Sequence, residues 1–233
     1  RLSDAGLNRW AIIGGVAVTA RLRRAHRATT DVDTVVDESI PPDAVDALLA
    51  LDGAEPGDKA HRVLVDGTKI EFIAVDALDI DHDDLDGLTE RQQLFVVAHR
   101  WALDTAEELT VEGWLDDAGP TVSARAPFAT PEALLAMKLH AIADRSVGFD
   151  QRRKRGGDAW DLHQMLTHLD RDGRIREALS TAPTRVRSLV GRALEHRFIA
   201  ESKLTVTWLR ELDEAADVTV AELEMLARPV LEA

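Results

Sequence analysis

Cysteine is absent from the 233 residues. Its absence excludes disulfides and Cys-ligated zinc, and it suits a reducing, cytoplasmic setting. No apolar run approaches the roughly 20 residues that cross a bilayer. The first residues lack the basic-then-apolar pattern of a signal peptide. No membrane association is therefore expected. Repeats and low-complexity tracts are also missing. None of the eight histidines has the HExxH spacing of a zinc protease, which leaves them to structural or surface roles. Net positive charge is lacking as well: the formal charge of −14 argues at first against a nucleic-acid partner.

That charge is unevenly placed. Residues 1–30 hold six basic and one acidic residue, and residues 138–203 hold fourteen basic and nine acidic ones. Residues 31–137 hold six basic against 25 acidic, a net of −19. A ligand entering a cleft responds to the local field more than to the total. At 25.6 kDa and 45% apolar residues, the chain can bury one or two cores.

Trp10-Ala-Ile-Ile13 reads as a short buried strand ending in Gly14-Gly15, with a helix from about Val16 to Arg24. Thr30 to Val36 reads as a second strand. Pro41-Pro42 opens a helix reaching about Leu51. Val63–Val65, an Asp66-Gly67 turn and Lys69–Val75 form a hairpin. The acidic Asp79–Asp86 run is expected to be a solvated loop, and residues 109–126 to hold one or two edge strands. After Pro127 helical spacing dominates, over roughly 131–146, 158–168, 172–180, 184–200, 205–214 and 219–228. The expectation is an α+β protein: a mixed sheet flanked by helices in residues 1–127, then a helical domain in 128–233, with the active site in the cleft between them.

The chemistry is expected at Asp31-Val-Asp33. Side chains at i and i+2 of a strand project from one face, about 6.5 Å apart. Two such carboxylates can serve two divalent ions about 3.5–4 Å apart, the arrangement used for nucleotidyl transfer. Glu71 is the expected third carboxylate, binding one metal or taking the acceptor hydroxyl's proton, since a charge between Ile70 and Phe72 is otherwise costly. At Gly14-Gly15 the missing Cβ atoms and the helix N-terminus admit a phosphate. Lys138, one turn from Leu134 and from Ile142, lies on the apolar face of its helix. There it either snorkels or serves a buried anion, and triphosphate binding is favoured. Asp158 is either an N-cap or a site residue positioning Lys138 or the nucleotide, with Asp161 supporting it. Arg27, with Arg21, Arg23 and Arg24, either faces the triphosphate or is solvated. The run Arg152–Arg155 is either a charged loop or a grip on RNA phosphates. Trp10 and Trp160 pack the core or line a base pocket.

The stretch Gly14-Gly15 … Arg27-Ala-Thr-Thr-Asp31-Val-Asp33 resembles the polymerase-β-type nucleotidyltransferase superfamily. More narrowly, it resembles the AbiEii/MenT-like toxin nucleotidyltransferases of bacterial toxin–antitoxin pairs. Ala133-Leu-Leu-Ala-Met-Lys138-Leu-His-Ala-Ile-Ala-Asp-Arg145 and Lys154-Arg-Gly-Gly-Asp158-Ala-Trp-Asp161-Leu162 extend the likeness over residues 10–162. Residues after Leu162 carry no matching motif. The resemblance implies a nucleotidyltransferase sheet followed by helices, two Mg²⁺ ions held by Asp31, Asp33 and Glu71, and an NTP substrate. It implies further a nucleotide-binding role for Gly14, Gly15, Arg27 and Lys138, and a catalytic role for Lys138 and Asp158. It implies a tRNA 3′ end or other RNA as acceptor, blocked translation, and a cognate antitoxin. Two alternatives remain: transfer to a small cation of the aminoglycoside kind, which the acidic segment suits, and a non-catalytic nucleotide- or protein-binding module on the same fold.

Overall fold

A computed structural model of the chain describes residues 7, 9–38, 43–113, 122–145 and 149–233. The chain divides into two compact units: residues 1–77 with 99–130, and residues 78–98 with 131–233.

The first unit is built on a mixed seven-stranded sheet, ordered β3-β4-β5-β2-β1-β7-β6. Strand β1 (Trp10–Ile13) leads directly into helix α1 (Gly14–Leu22), and β2 (Asp31–Asp37) returns antiparallel beside β1. Helix α2 (Ala44–Leu49) is capped by Asp43, whose carboxylate accepts from the amides of Val45 at 2.9 Å and Asp46 at 3.2 Å. The Pro41-Pro42 start expected for this helix lies outside the described residues. Strands β3 (Ala54–Pro56), β4 (Arg62–Val65) and β5 (Thr68–Val75) follow. The β4–β5 turn has Asp66 at φ 50° and Gly67 at φ 76°, the pair of positive angles that matches hairpin twist. Strand β5 lies parallel to β2, with Asp33 opposite Glu71. The Thr34 hydroxyl donates to the Glu71 carbonyl at 3.1 Å, which pins that register. Trp10, Val36, Val63, Val65, Ile70 and Phe72 pack with Leu48 of α2 on the sheet face opposite the carboxylates. Strands β6 (Glu107–Gly113) and β7 (Val122–Phe128) fall where edge strands are expected within 109–126; β6 is at the sheet edge, whereas β7 is internal, between β1 and β6, and residues 114–121 lie outside the described residues.

Helix α3 (Glu90–Asp104) has no counterpart in the sequence reading. Leu94, Val97, Ala98, Trp101, Ala102 and Leu103 are all buried, and so are His99 and Arg100. Burial on every side erases the amphipathic period that announces a helix. Its start is nevertheless written as a capping box. The Thr89 amide donates to the Gln92 side chain at 2.9 Å, and the Gln92 amide donates to the Thr89 hydroxyl at 3.4 Å. The unit division falls between Ala98 and His99, inside this helix.

The second unit is helical: α4 (Pro131–Asp144), α5 (Phe149–His168), α6 (Arg174–Thr181), α7 (Thr184–Leu194), a π-helical turn over Glu195–Ala200, α8 (Ser202–Leu209) and α9 (Val220–Leu231). Helix α5 starts nine residues before Asp158. Gly156-Gly157 therefore sits inside a helix instead of preceding one, and the N-cap reading of Asp158 is corrected. The cause is tertiary: a Cβ on Gly156 would lie 2.5 Å from the Trp208 carbonyl oxygen, so the glycine permits α5 and α8 to meet closely. The acidic run has a structural duty its composition hides. Asp81 accepts from the amides of Thr184 at 3.2 Å and Arg185 at 3.0 Å, capping α7 from outside.

Candidate active site

The carboxylates assemble because the strands that carry them are neighbours in register. Asp31 and Asp33 share a face of β2, and Glu71 stands opposite Asp33 on the adjacent parallel strand. One oxygen from each of the three lies within 4.8 Å of the others, and all three are half-buried. Three hard oxygens at this spacing suit a divalent cation such as Mg²⁺.

Strand β1 ends beside Asp33, since Ile13 pairs with it, and the chain then turns into α1 through Gly14 at φ +67°. A Cβ on Gly14 would fall 2.1 Å from Asp33 Oδ2. Glycine is therefore required both by the backbone angle and by the carboxylate it accommodates. A Cβ on Gly15 would lie 2.8 Å from the Arg27 guanidinium and 3.1 Å from the Thr29 hydroxyl. The sequence reading assigns these glycines to phosphate approach; the structure adds that they make room for Asp33 and Arg27. The N-cap residue of α1, Ile13, makes no side-chain cap hydrogen bond, and a helix N-terminus favours an anion. Of the early arginines, Arg27 stands at this turn. Arg21 is spent on the scaffold: it donates to the carbonyls of Ala129 and Phe128, each at 2.9 Å, and pairs with Glu107 at 2.7 Å.

Several basic side chains at the site carry no motif. Arg62, opposite Glu71 on β4, donates to it at 2.5 Å and also pairs with Asp58. His61 Nε2 lies 3.1 Å and Lys59 Nζ 3.9 Å from the Glu71 carboxylate, and Lys69 Nζ lies 3.4 Å from that of Asp31. Burial pushes the Glu71 carboxyl up, but the Arg62 hydrogen bond and charge, with His61 and Lys59 adding, hold it below the ordinary glutamate range. The Lys59-Ala-His-Arg62 run directly ahead of a strand is the available signal. Its meaning depends on the hairpin register, which sets Arg62 against Glu71.

The second unit brings Lys138, Asp158 and Asp161 together. Lys138 Nζ lies 2.9 Å from Asp158 and 2.7 Å from Asp161, with all three side chains at most 8% exposed. Arg145 pairs with Asp158 at 2.7 Å. Two cations thus face two carboxylates, and Lys138 is sequestered among anions of its own unit instead of snorkelling. Arg152, Arg153 and Lys154 are exposed on helical α5, which replaces the charged-loop alternative. Arg155 turns inward, 5.0 Å over the Trp208 ring. Trp10 belongs to the sheet core, and Trp160 stacks on His163 at 5.0 Å.

A carboxylate cluster beside a helix start, on a mixed sheet, is a site that could hold a divalent cation. The family is then settled by comparison. A family model described as nucleotidyl transferase AbiEii toxin, type IV toxin–antitoxin system, matches residues 2–219, and the chain belongs to that family. No curated protein matches the chain. Among the described residues no helix is long and apolar enough to cross a membrane.

Proposed function

We propose that the protein transfers a nucleoside monophosphate from an NTP to an RNA acceptor, foremost the 3′ end of tRNA, and thereby blocks translation. The observation that carries the reading is the convergence of Asp31, Asp33 and Glu71 beside the Gly14–Gly15 turn, in a chain of the nucleotidyl transferase toxin family. Asp31, Asp33 and Glu71 would hold two Mg²⁺ ions. Ions held there would supply Lewis-acid stabilisation of the charge that develops on the phosphates. The α1 amides and Arg27 hold the triphosphate, and catalysis is positioning and charge neutralisation. The lowered Glu71 carboxyl favours a metal-holding role over that of a base.

Lys138 and Asp158 enter as a coupled pair. A triphosphate drawing on Lys138 competes with Asp158 and Asp161 for the ammonium, so both carboxylates tune its availability. Arg152, Arg153 and Lys154 offer phosphate contacts to RNA. The domain bounds 1–127 and 128–233, action in the cytosol, and a cognate antitoxin, as the type IV family description implies, complete the proposal.

Incubation with labelled NTP, Mg²⁺ and total tRNA tests it. Labelled RNA that disappears with Asp33→Ala supports the reading. A labelled aminoglycoside with unlabelled RNA replaces the acceptor, and no labelled product of any kind makes the chain a binding module.

A further inference from the structure

The carboxylates are flanked by cations on one side of the sheet. Across the order β1-β2-β5-β4, the Gly14 turn stands at the β1 end. Strand β4 lies three strand spacings away, about 14 Å. On that far side Glu71 meets Arg62 at 2.5 Å, His61 at 3.1 Å and Lys59 at 3.9 Å, while Lys69 stands by Asp31 at 3.4 Å. The four differ in what they can reach. The Arg62 side chain is 12% exposed and divided between Glu71 and Asp58, whereas Lys59 and His61 are 52% and 51% exposed. Arg62 therefore fixes Glu71, while Lys59 presents an ammonium and His61 a ring nitrogen to solvent beside it.

Two physical requirements give that flank a role. In-line displacement at the α-phosphorus puts the entering oxygen and the leaving pyrophosphate on opposite sides. With the triphosphate at the α1 turn, the acceptor hydroxyl enters from the β4 side. The new P–O bond then forms as the α–β bridging P–O bond breaks, and the hydroxyl proton is released to water. The second requirement is charge balance. Once Asp31 and Glu71 are engaged by divalent ions, Lys59 and Lys69 lose their counter-charge and attract another anion. An acceptor with a phosphodiester next to its hydroxyl supplies one; a polycationic acceptor is repelled.

We infer that Lys59, His61 and Lys69 form an acceptor subsite that binds the phosphodiester adjacent to the attacking hydroxyl of an RNA chain end. The inference rests on the transfer reading above and assigns its acceptor side to named residues. The test is steady-state transfer to total tRNA by the Lys59→Ser/His61→Ser double variant, with RNA affinity measured on the same change in an Asp33→Ala background. The KM for tRNA should rise about tenfold, the effect of removing two exposed polar partners of the phosphate. The salt slope of RNA binding should flatten by about 0.7 for each single-strand phosphate that is no longer neutralised. Lys59→Arg should retain most of the affinity. An unchanged KM for tRNA with an unchanged salt slope overturns the inference and leaves the transfer reading standing, as does a loss confined to the KM for NTP. Wild-type protein that labels no RNA overturns both, and the wild-type lane alone reveals that case.

Discussion

Asp31, Asp33 and Glu71 sit half-exposed with their oxygens within 4.8 Å of one another, whereas Asp158 and Asp161 are buried around Lys138 with Arg145 completing the balance. The first cluster gathers like charges at a mouth open to water, an arrangement that favours a ligand of opposite sign. The second closes its charge internally, and each member is held by desolvated partners. Breaking one member of such a buried network costs more than the network contributes, because an uncompensated charge remains. The two clusters should thus fail differently: the open one in chemistry, the closed one in folding.

The largest expected effect sharpens the chemical half of that contrast. Asp33→Ala or Asp31→Ala should lower transfer at least about 10³-fold, since metal stabilisation is worth several kcal/mol. The melting temperature in EDTA should stay level or rise slightly, because repulsion within the cluster is relieved. Near-wild-type turnover of either variant in Mg²⁺ would remove both from the site. Next comes the closed cluster. Lys138→Ala removes the ammonium that pairs with both buried carboxylates, Asp158 and Asp161, and should cost about 3–5 kcal/mol, roughly a 10 °C fall in Tm for a chain of this length. Replacing Lys138, Asp158 and Asp161 together by apolar residues of similar volume should recover most of that loss. Recovered stability with transfer still absent gives Lys138 or its carboxylates a site role beyond the scaffold. Recovered transfer makes the network purely structural.

Two glycines refine the contrast within the helical unit. Gly156→Ala drives a Cβ to 2.5 Å from the Trp208 carbonyl oxygen, and such overpacking costs about 1–3 kcal/mol. Gly191, in α7, has nothing within 4 Å of its would-be Cβ, so Gly191→Ala should stabilise by about 0.5–1 kcal/mol through helix propensity. Opposite shifts in denaturant midpoint at an unchanged m-value check the pair. Similar shifts would mean that α5 and α8 do not meet at Gly156.

What the sequence disclosed followed the range of the interactions. Local signals were legible: the buried Trp10–Ile13 strand, the Asp66-Gly67 hairpin, the i, i+2 carboxylates, and Glu71 as a charge inside an apolar strand. Features set by long-range pairing were not. Arg62 gains meaning only through its register with Glu71, and the Gly156-Gly157 pair reads as a helix boundary until Trp208 shows why glycine is needed within α5. Helix α3 escaped because burial on all sides removes amphipathic contrast, although its Thr89–Gln92 capping box was readable. Lys138 is recognisable as a lysine with a buried anion to serve, but the anions beside it are Asp158 and Asp161 of its own unit.

The smallest effect tests whether the open cluster is held from its cationic flank. Glu71 has its carboxyl lowered from an ordinary 4.5, against the pull of burial, chiefly by Arg62. A group with a depressed folded pKa contributes stability that is fully present above its unfolded value and is lost as pH falls through the folded value. In EDTA, wild type should therefore be more stable than Glu71→Gln by a constant margin from pH 7 down to about 4.5. Below that the margin should close. Glu71 is partly exposed, so the margin should stay under about 1 kcal/mol, at most roughly 2–4 °C in Tm. Arg62→Gln should remove most of the pH dependence, while His61→Gln should remove little, because Arg62 supplies the stronger hydrogen bond. A margin that widens on acidification would show the Glu71 carboxyl raised instead of lowered. Burial would then dominate over Arg62, and Glu71 would be the candidate proton acceptor in place of a metal ligand.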